Sequence, residues 1–87
     1  MAELMRTIKI PLGEIYVPTK LTKTLDAAKV ETRAEEVLES GLNAPVQVRR
    51  DEDRDRYVLI SGVHRLEAVR ALGEETIEAL VVQARKH

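Results

Sequence analysis

Apolar and polar positions fall along this chain in short blocks, and the period of each block predicts an element. Residues 6–10 alternate, with Ile8 and Ile10 on one side and Thr7 and Lys9 on the other. That is the period of a half-buried strand. Pro11 and Gly13 break it, and Ile15, Tyr16 and Val17 make a second extended piece that Pro18 ends. Residues 19–25 are polar apart from two leucines and predict a loop. Its threonines, and Asp26 after them, are N-cap candidates for a helix over residues 26–40. Val30, Ala34, Val37 and Leu38 recur there at i, i+4, i+7 and i+8 as one apolar stripe. Glu31, Arg33, Glu35, Glu36 and Glu39 are assigned mostly to water, and Gly41 is placed as the residue that ends the helix.

The second half repeats the scheme. Residues 45–49 alternate and predict a strand, residues 51–55 a charged turn. Residues 56–60 are more continuously apolar, which predicts a central strand and, with the one before, a hairpin with a longer loop. Ser61-Gly62 punctuates the chain. A helix follows to residue 72, with Leu66, Val69 and Leu72 three apart and Ala68 beside them, and Gly73 ends it. Residues 76–82 predict a last strand. The order strand, helix, hairpin, helix, strand mixes hairpin and crossover connections. It predicts an α+β fold, a small mixed β-sheet with two main helices, in a single domain over residues 1–87.

Composition narrows the chemistry. The chain has two Tyr and no Phe or Trp, so the core is aliphatic and there is no aromatic platform for stacking single-stranded nucleic acid. Charged residues make up 33% yet cancel to a formal net charge of −1, which argues against a bulk electrostatic grip on DNA or an anionic membrane. No cysteine is present, so disulfides, thiolate metal sites and thiol nucleophiles are excluded. No apolar run approaches the roughly 18 residues of a membrane span, and the N-terminus lacks the layout of a signal peptide. A soluble cytoplasmic protein is the expectation.

Candidate chemistry concentrates at Ser61-Gly62-Val63-His64-Arg65. An apolar strand stops at a glycine and a helix starts at once. The first N–H groups of a helix lack internal partners and carry partial positive charge, which suits an anion. Gly62 admits a close approach of phosphate to the backbone. His64 and Arg65 add two donors on the same turn, the arginine as a planar fork that fits phosphate oxygens. The alternative from the residues alone is an ordinary helix start, with Ser61 as its N-cap and both basic residues solvated.

Ser61-Gly62-Val63-His64-Arg65-Leu66-Glu67-Ala68 resembles the phosphate-binding signature of the ParB/sulfiredoxin superfamily. That signature reads Gly-Glu-Arg-Arg-x-x-Ala in ParB-like domains and Gly-Cys-His-Arg-x-x-Ala in sulfiredoxins. Four further segments are similar in the same order: Ile10-Pro11-Leu12, Leu25-Asp26-Ala27-Ala28-Lys29-Val30, Ala44-Pro45-Val46-Gln47-Val48 and Glu75-Thr76-Ile77-Glu78-Ala79. The likeness covers about residues 6–83. It implies a ParB/sulfiredoxin-like fold and a bound nucleotide, ATP, ADP or CTP, with Mg²⁺ as an optional companion leaning on the phosphates. The implied phosphate-binding set is Lys29, Thr32, Ser61, Gly62, Val63, His64 and Arg65. Glu36 stands where sulfiredoxins carry a threonine and does not keep its role. An arginine that precedes the helix in that family falls near Thr19 or Lys20 here.

Position 63 is the decisive departure, because sulfiredoxins place their catalytic cysteine there. With Val63 in its place, sulfinic acid reduction by the family mechanism is excluded. ParB proteins that bind centromeric DNA carry a helix-turn-helix after this domain. The few residues after Val82 leave no room for one, so the expectation is a stand-alone module.

Other residues carry less. Lys20, Lys23 and Lys29 form a solvated loop or a basic rim. Arg49, Arg50, Arg54 and Arg56 interleave with Asp51, Glu52, Asp53 and Asp55, which reads as self-paired surface charge. Tyr57 reads as packing at the core edge and His87 as a disordered end. No spacing singles out a general base among Glu14, Glu31, Glu35, Glu36 and Glu67. Two functions remain open. One is a nucleotide phosphate-binding domain, with ATPase or phosphotransferase chemistry as an extension. The other is a ParB-like DNA-partition or transcription module acting through DNA or a protein partner. A third option is a remnant of the fold kept only for protein contact, for which a homodimer is one form open to a small core.

Overall fold

The computed structural model describes residues 7–40 and 44–82. Five strands, β1 (Thr7–Pro11), β2 (Ile15–Tyr16), β3 (Val46–Asp51), β4 (Arg56–Ser61) and β5 (Thr76–Val81), are joined with helices α1 (Thr19–Thr22), α2 (Ala27–Ser40) and α3 (Val63–Ala71). The strands form one sheet in the order β1-β5-β3-β4-β2. β1 runs antiparallel to β5, β5 parallel to β3, β3 antiparallel to β4, and β4 parallel to β2. The mixed sheet expected from the element order is therefore present.

The periods become burial patterns except on β1, where Ile10 is buried but Ile8, expected on the same side, is 41% exposed near the start of the strand. Ile10 on β1 pairs with Ile77 on β5, and both are buried. Val46 and Val48 alternate inward on β3, and Leu59 does so on β4. Val63, Leu66 and Val69 of α3 close the core over them, with Leu12 and Ile15 at its edge. Neither tyrosine enters the core; Tyr57 packs half-buried against its rim. β4 has a strand on either side, as a central strand should, but β2 covers only Tyr57 and Val58. Ile60, beyond that cover, is 40% exposed.

Two further expectations need correction. The stretch 19–25, expected as a loop, contains α1, a single turn after Pro18 in which the Thr22 hydroxyl donates to the Thr19 carbonyl at 2.8 Å. Leu21 anchors it against the core. Leu38, expected on the apolar stripe of α2, is 71% exposed. At about 100° per residue, Val30, Ala34 and Val37 fall within about 60° of one another while Leu38 lies a further ~40° round. Val30, Ala34 and Val37 are half-buried, and the contact with α3 is too narrow to reach Leu38. Gly41 and His87 lie outside the described residues. α3 ends as expected: Gly73 takes φ +84° and its N–H donates to the Arg70 carbonyl at 3.0 Å, a left-handed terminator.

Candidate functional site

The site grows from the junction of β4 and α3. Ser61 is the last residue of β4, paired with Gln47 across the sheet. Gly62 is the N-cap, at φ +102°, and no side chain among the described residues caps the turn. Ser61 is therefore not a cap, and the first amides of α3 keep their outward polarity. Gly62 is required for a reason the sequence does not reveal. A Cβ there would lie 2.7 Å from Val46 Cγ1 and 3.2 Å from Val46 Cα. The close approach is to strand β3, so the glycine serves packing whether or not an anion is present.

Behind that turn, side chains diverge. Val63 is buried, and its side chain belongs to the core; only its amide is left to meet a ligand. His64 is half-buried and reaches the start of α2, where the Asp26 N–H donates to its Nε2 at 3.1 Å. A neutral imidazole accepting at Nε2 carries its proton on Nδ1, so Nδ1 is the nitrogen left as a donor. The Asp26 carboxylate meanwhile accepts the Ala28 N–H at 2.9 Å, the N-cap expected from the sequence. Asp26 thus ties the start of α2 to the start of α3.

Arg65 has a side chain only 14% exposed, with Nη2 3.9 Å from Glu36 Oε1. Its Nη1 is buried and makes no hydrogen bond among the described residues. A buried cationic donor left unsatisfied is costly, of the order of 1–3 kcal/mol or more for a charged group.

On α2, Lys29 and Thr32 are exposed. The Thr32 hydroxyl donates to the Ala28 carbonyl at 3.0 Å, which leaves it only its acceptor side. Lys29, Thr32 and Glu36 are spaced i, i+3 and i+7, one helix face, and Glu36 marks that face as the one toward Arg65. The structure therefore gathers Ser61, Gly62, His64 and Arg65 at one turn and sets the Lys29–Thr32 face on the neighbouring helix. Sequence reasoning misses two partners, Glu36 for Arg65 and the Asp26 amide for His64. The second pair is 38 positions apart, beyond any local signal.

Three of the four hairpin arginines, Arg50, Arg54 and Arg56, behave as self-paired charge. Arg50 pairs with Asp55, and Asp51 Oδ2 takes Arg54 at 3.6 Å and Arg56 at 3.3 Å. Arg56 stacks 4.1 Å from the Tyr16 ring centre and Arg50 5.0 Å from that of Tyr57. Burial works against the Asp51 carboxylate, but the Arg54 amide and the Arg56 and Arg54 guanidiniums outweigh it and hold its pKa below the ordinary carboxylate value. Among the described residues no three His, Asp or Glu side chains converge as a metal site, and no helix is long and apolar enough to cross a membrane.

Sheet order and uncapped glycine turn together define an α+β domain of the ParB/sulfiredoxin-like fold. The ParB N-terminal domain family matches residues 1–87, and the chain belongs to that family. It is 38% identical over 75 residues to a nucleoid occlusion protein of Oceanobacillus iheyensis, covering 85% of this chain and 26% of that protein. The chain thus spans about a quarter of the length of that curated relative. Among solved structures it is similar to sulfiredoxin from Arabidopsis thaliana, with TM-score 0.78 and 29% identity over 91% of this chain and 86% of that one. It is also similar to C-terminally truncated ParB from Caulobacter crescentus complexed with CTP-γ-S, with TM-score 0.76 and 20% identity over 93% and 46%. A mutant free serine kinase in complex with ADP gives TM-score 0.76 and 21% identity over 87% and 30%. The last two likenesses speak for the fold alone.

Proposed function

We propose that this domain seats the phosphates of a nucleotide at the turn 61–65, as part of a cytoplasmic protein that acts in DNA partition or nucleoid occlusion. The observation that carries the reading is Arg65 Nη1, buried without a hydrogen-bond partner among the described residues, beside an uncapped helix start. The amides of Val63, His64 and Arg65 supply fixed dipoles that need no reorganisation when an anion arrives. The Arg65 guanidinium supplies charge and a forked donor, and His64 adds Nδ1 while its Nε2 holds α2 in place. Lys29 stands on the adjacent helix face as a flexible second charge. Mg²⁺, if the ligand carries it, leans on the phosphates, since no group of three or more His, Asp or Glu side chains that could hold a metal is present among the described residues. ParB solved with CTP-γ-S and the serine kinase solved with ADP share this fold, which supports a nucleotide as the anion.

Arg65→Ala is expected to weaken ATP or CTP binding roughly tenfold in calorimetry, the loss of one charge-assisted bond. Unchanged affinity would remove Arg65 from the site. A second reading rests on the 38% identity to a nucleoid occlusion protein: the domain serves a DNA-bound assembly and its turn has no ligand of its own. Tight DNA association without any nucleotide affinity would favour it. The net charge of −1 weighs against strong autonomous DNA binding.

A further inference from the structure

A carboxylate is out of place beside an anion seat, yet Glu36 stands there. Its Oε1 lies 3.9 Å from Arg65 Nη2 and 3.5 Å from Arg33 Nη1. The two cations differ in kind. The Arg65 side chain is only 14% exposed, so its charge is poorly screened and needs a counter-anion nearby. The Arg33 side chain is 42% exposed and sits one turn away at i,i+3 on the helix that carries Glu36. The Glu36 side chain is 48% exposed, so it has room to change rotamer. A phosphate arriving at Arg65 would come close to this carboxylate, and like charges repel. Both anions cannot hold one guanidinium equally well.

We propose that Glu36 is an internal competitor for the phosphate seat: it is shared between Arg65 and Arg33 when the seat is empty and withdraws to Arg33 alone when a phosphate binds. This rests on the reading of the turn as a phosphate seat and adds a control to it. The control lowers affinity for any anion and makes it depend on Arg33, a residue that never touches the ligand.

Calorimetric titration of inorganic pyrophosphate into the full 87-residue chain and its variants tests this. Glu36→Gln should bind pyrophosphate roughly three- to tenfold tighter, the range expected for removing one partly screened charge. Glu36→Thr should do the same. Arg33→Ala should weaken binding in the parent chain and have no effect in the Glu36→Gln background, because Arg33 acts only by receiving the carboxylate. Unchanged or weaker binding by both Glu36 variants, while Arg65→Ala loses binding, would overturn the competitor and leave the seat standing. An Arg33→Ala effect that persists without Glu36 would also overturn it. No pyrophosphate binding by the parent chain or by either Glu36 variant would bring down the seat itself, and the competitor with it.

Discussion

At the scale of single residues, Arg65 and Gly62 separate the proposed site from the architecture. Arg65 keeps a buried donor unsatisfied, so the fold gains little from it. Arg65→Ala is expected to leave stability within about 1 kcal/mol of the parent, because relief of the orphaned donor offsets the missing packing of the aliphatic stem. Urea denaturation checks this, and a loss of several kcal/mol would recast Arg65 as a structural residue. Gly62→Ala should behave in the opposite way. A methyl group there must occupy φ +102° and meet Val46 Cγ1 at 2.7 Å, a combination worth roughly 2–4 kcal/mol. The same denaturation series reads it; a cost below about 1 kcal/mol would show that Val46 yields easily. The signature glycine is thus legible in the sequence, but its main reason is not. The contact with Val46 depends on where β3 lies, and two residues so far apart in the chain carry no local sign of it.

Elements can be read where a period repeats often enough, and escape prediction where one contact decides. The alternation of residues 45–49 and the stripe of α3 are visible because several residues repeat the same instruction. α1 is one turn of four residues, below the length at which a helical period exists, and it persists because Leu21 finds the core. Leu38 misleads because the stripe rule fixes a direction but not how wide the covering partner is. With Leu38 71% exposed, Leu38→Lys should change stability by less than about 0.5 kcal/mol in the same denaturation series. The start of α2 is the opposite case. Asp26 caps the helix with its carboxylate and holds His64 with its amide. Asp26→Ala is expected to lose about 1 kcal/mol without disturbing the backbone donor to His64. On the hairpin, the depressed pKa of Asp51 has a definite sign. The carboxylate is the favoured form in the fold, so its stabilising effect is complete above the unfolded carboxylate value and is lost as pH falls through the folded one. Asp51→Asn should lower the melting temperature at neutral pH and flatten its decline in acid; parallel acid limbs for both proteins would contradict this.

For the whole molecule, the element order predicts a mixed sheet but not its strand order. β1-β5-β3-β4-β2 places the first and last strands together and sets β3 between two partners, a choice made by long-range packing. That arrangement carries β4 into α3 beside the start of α2, which is what brings Asp26, Glu36 and the turn 61–65 into one neighbourhood. Site residues on the turn are legible because they are contiguous; their partners on α2 are not, because only the fold joins them. Membership of the ParB N-terminal domain family fixes the framework, while the ligand rests on the unsatisfied guanidinium. The most direct test is an amide-resolved NMR titration of the chain with ATP and with CTP. Saturable shifts should centre on the amides of Gly62, Val63, His64 and Arg65 and on the Arg65 side-chain signals, with smaller changes at Asp26 and Lys29. Nucleotide-dependent shifts confined to another surface, or none at millimolar ligand, would contradict a phosphate seat at this turn.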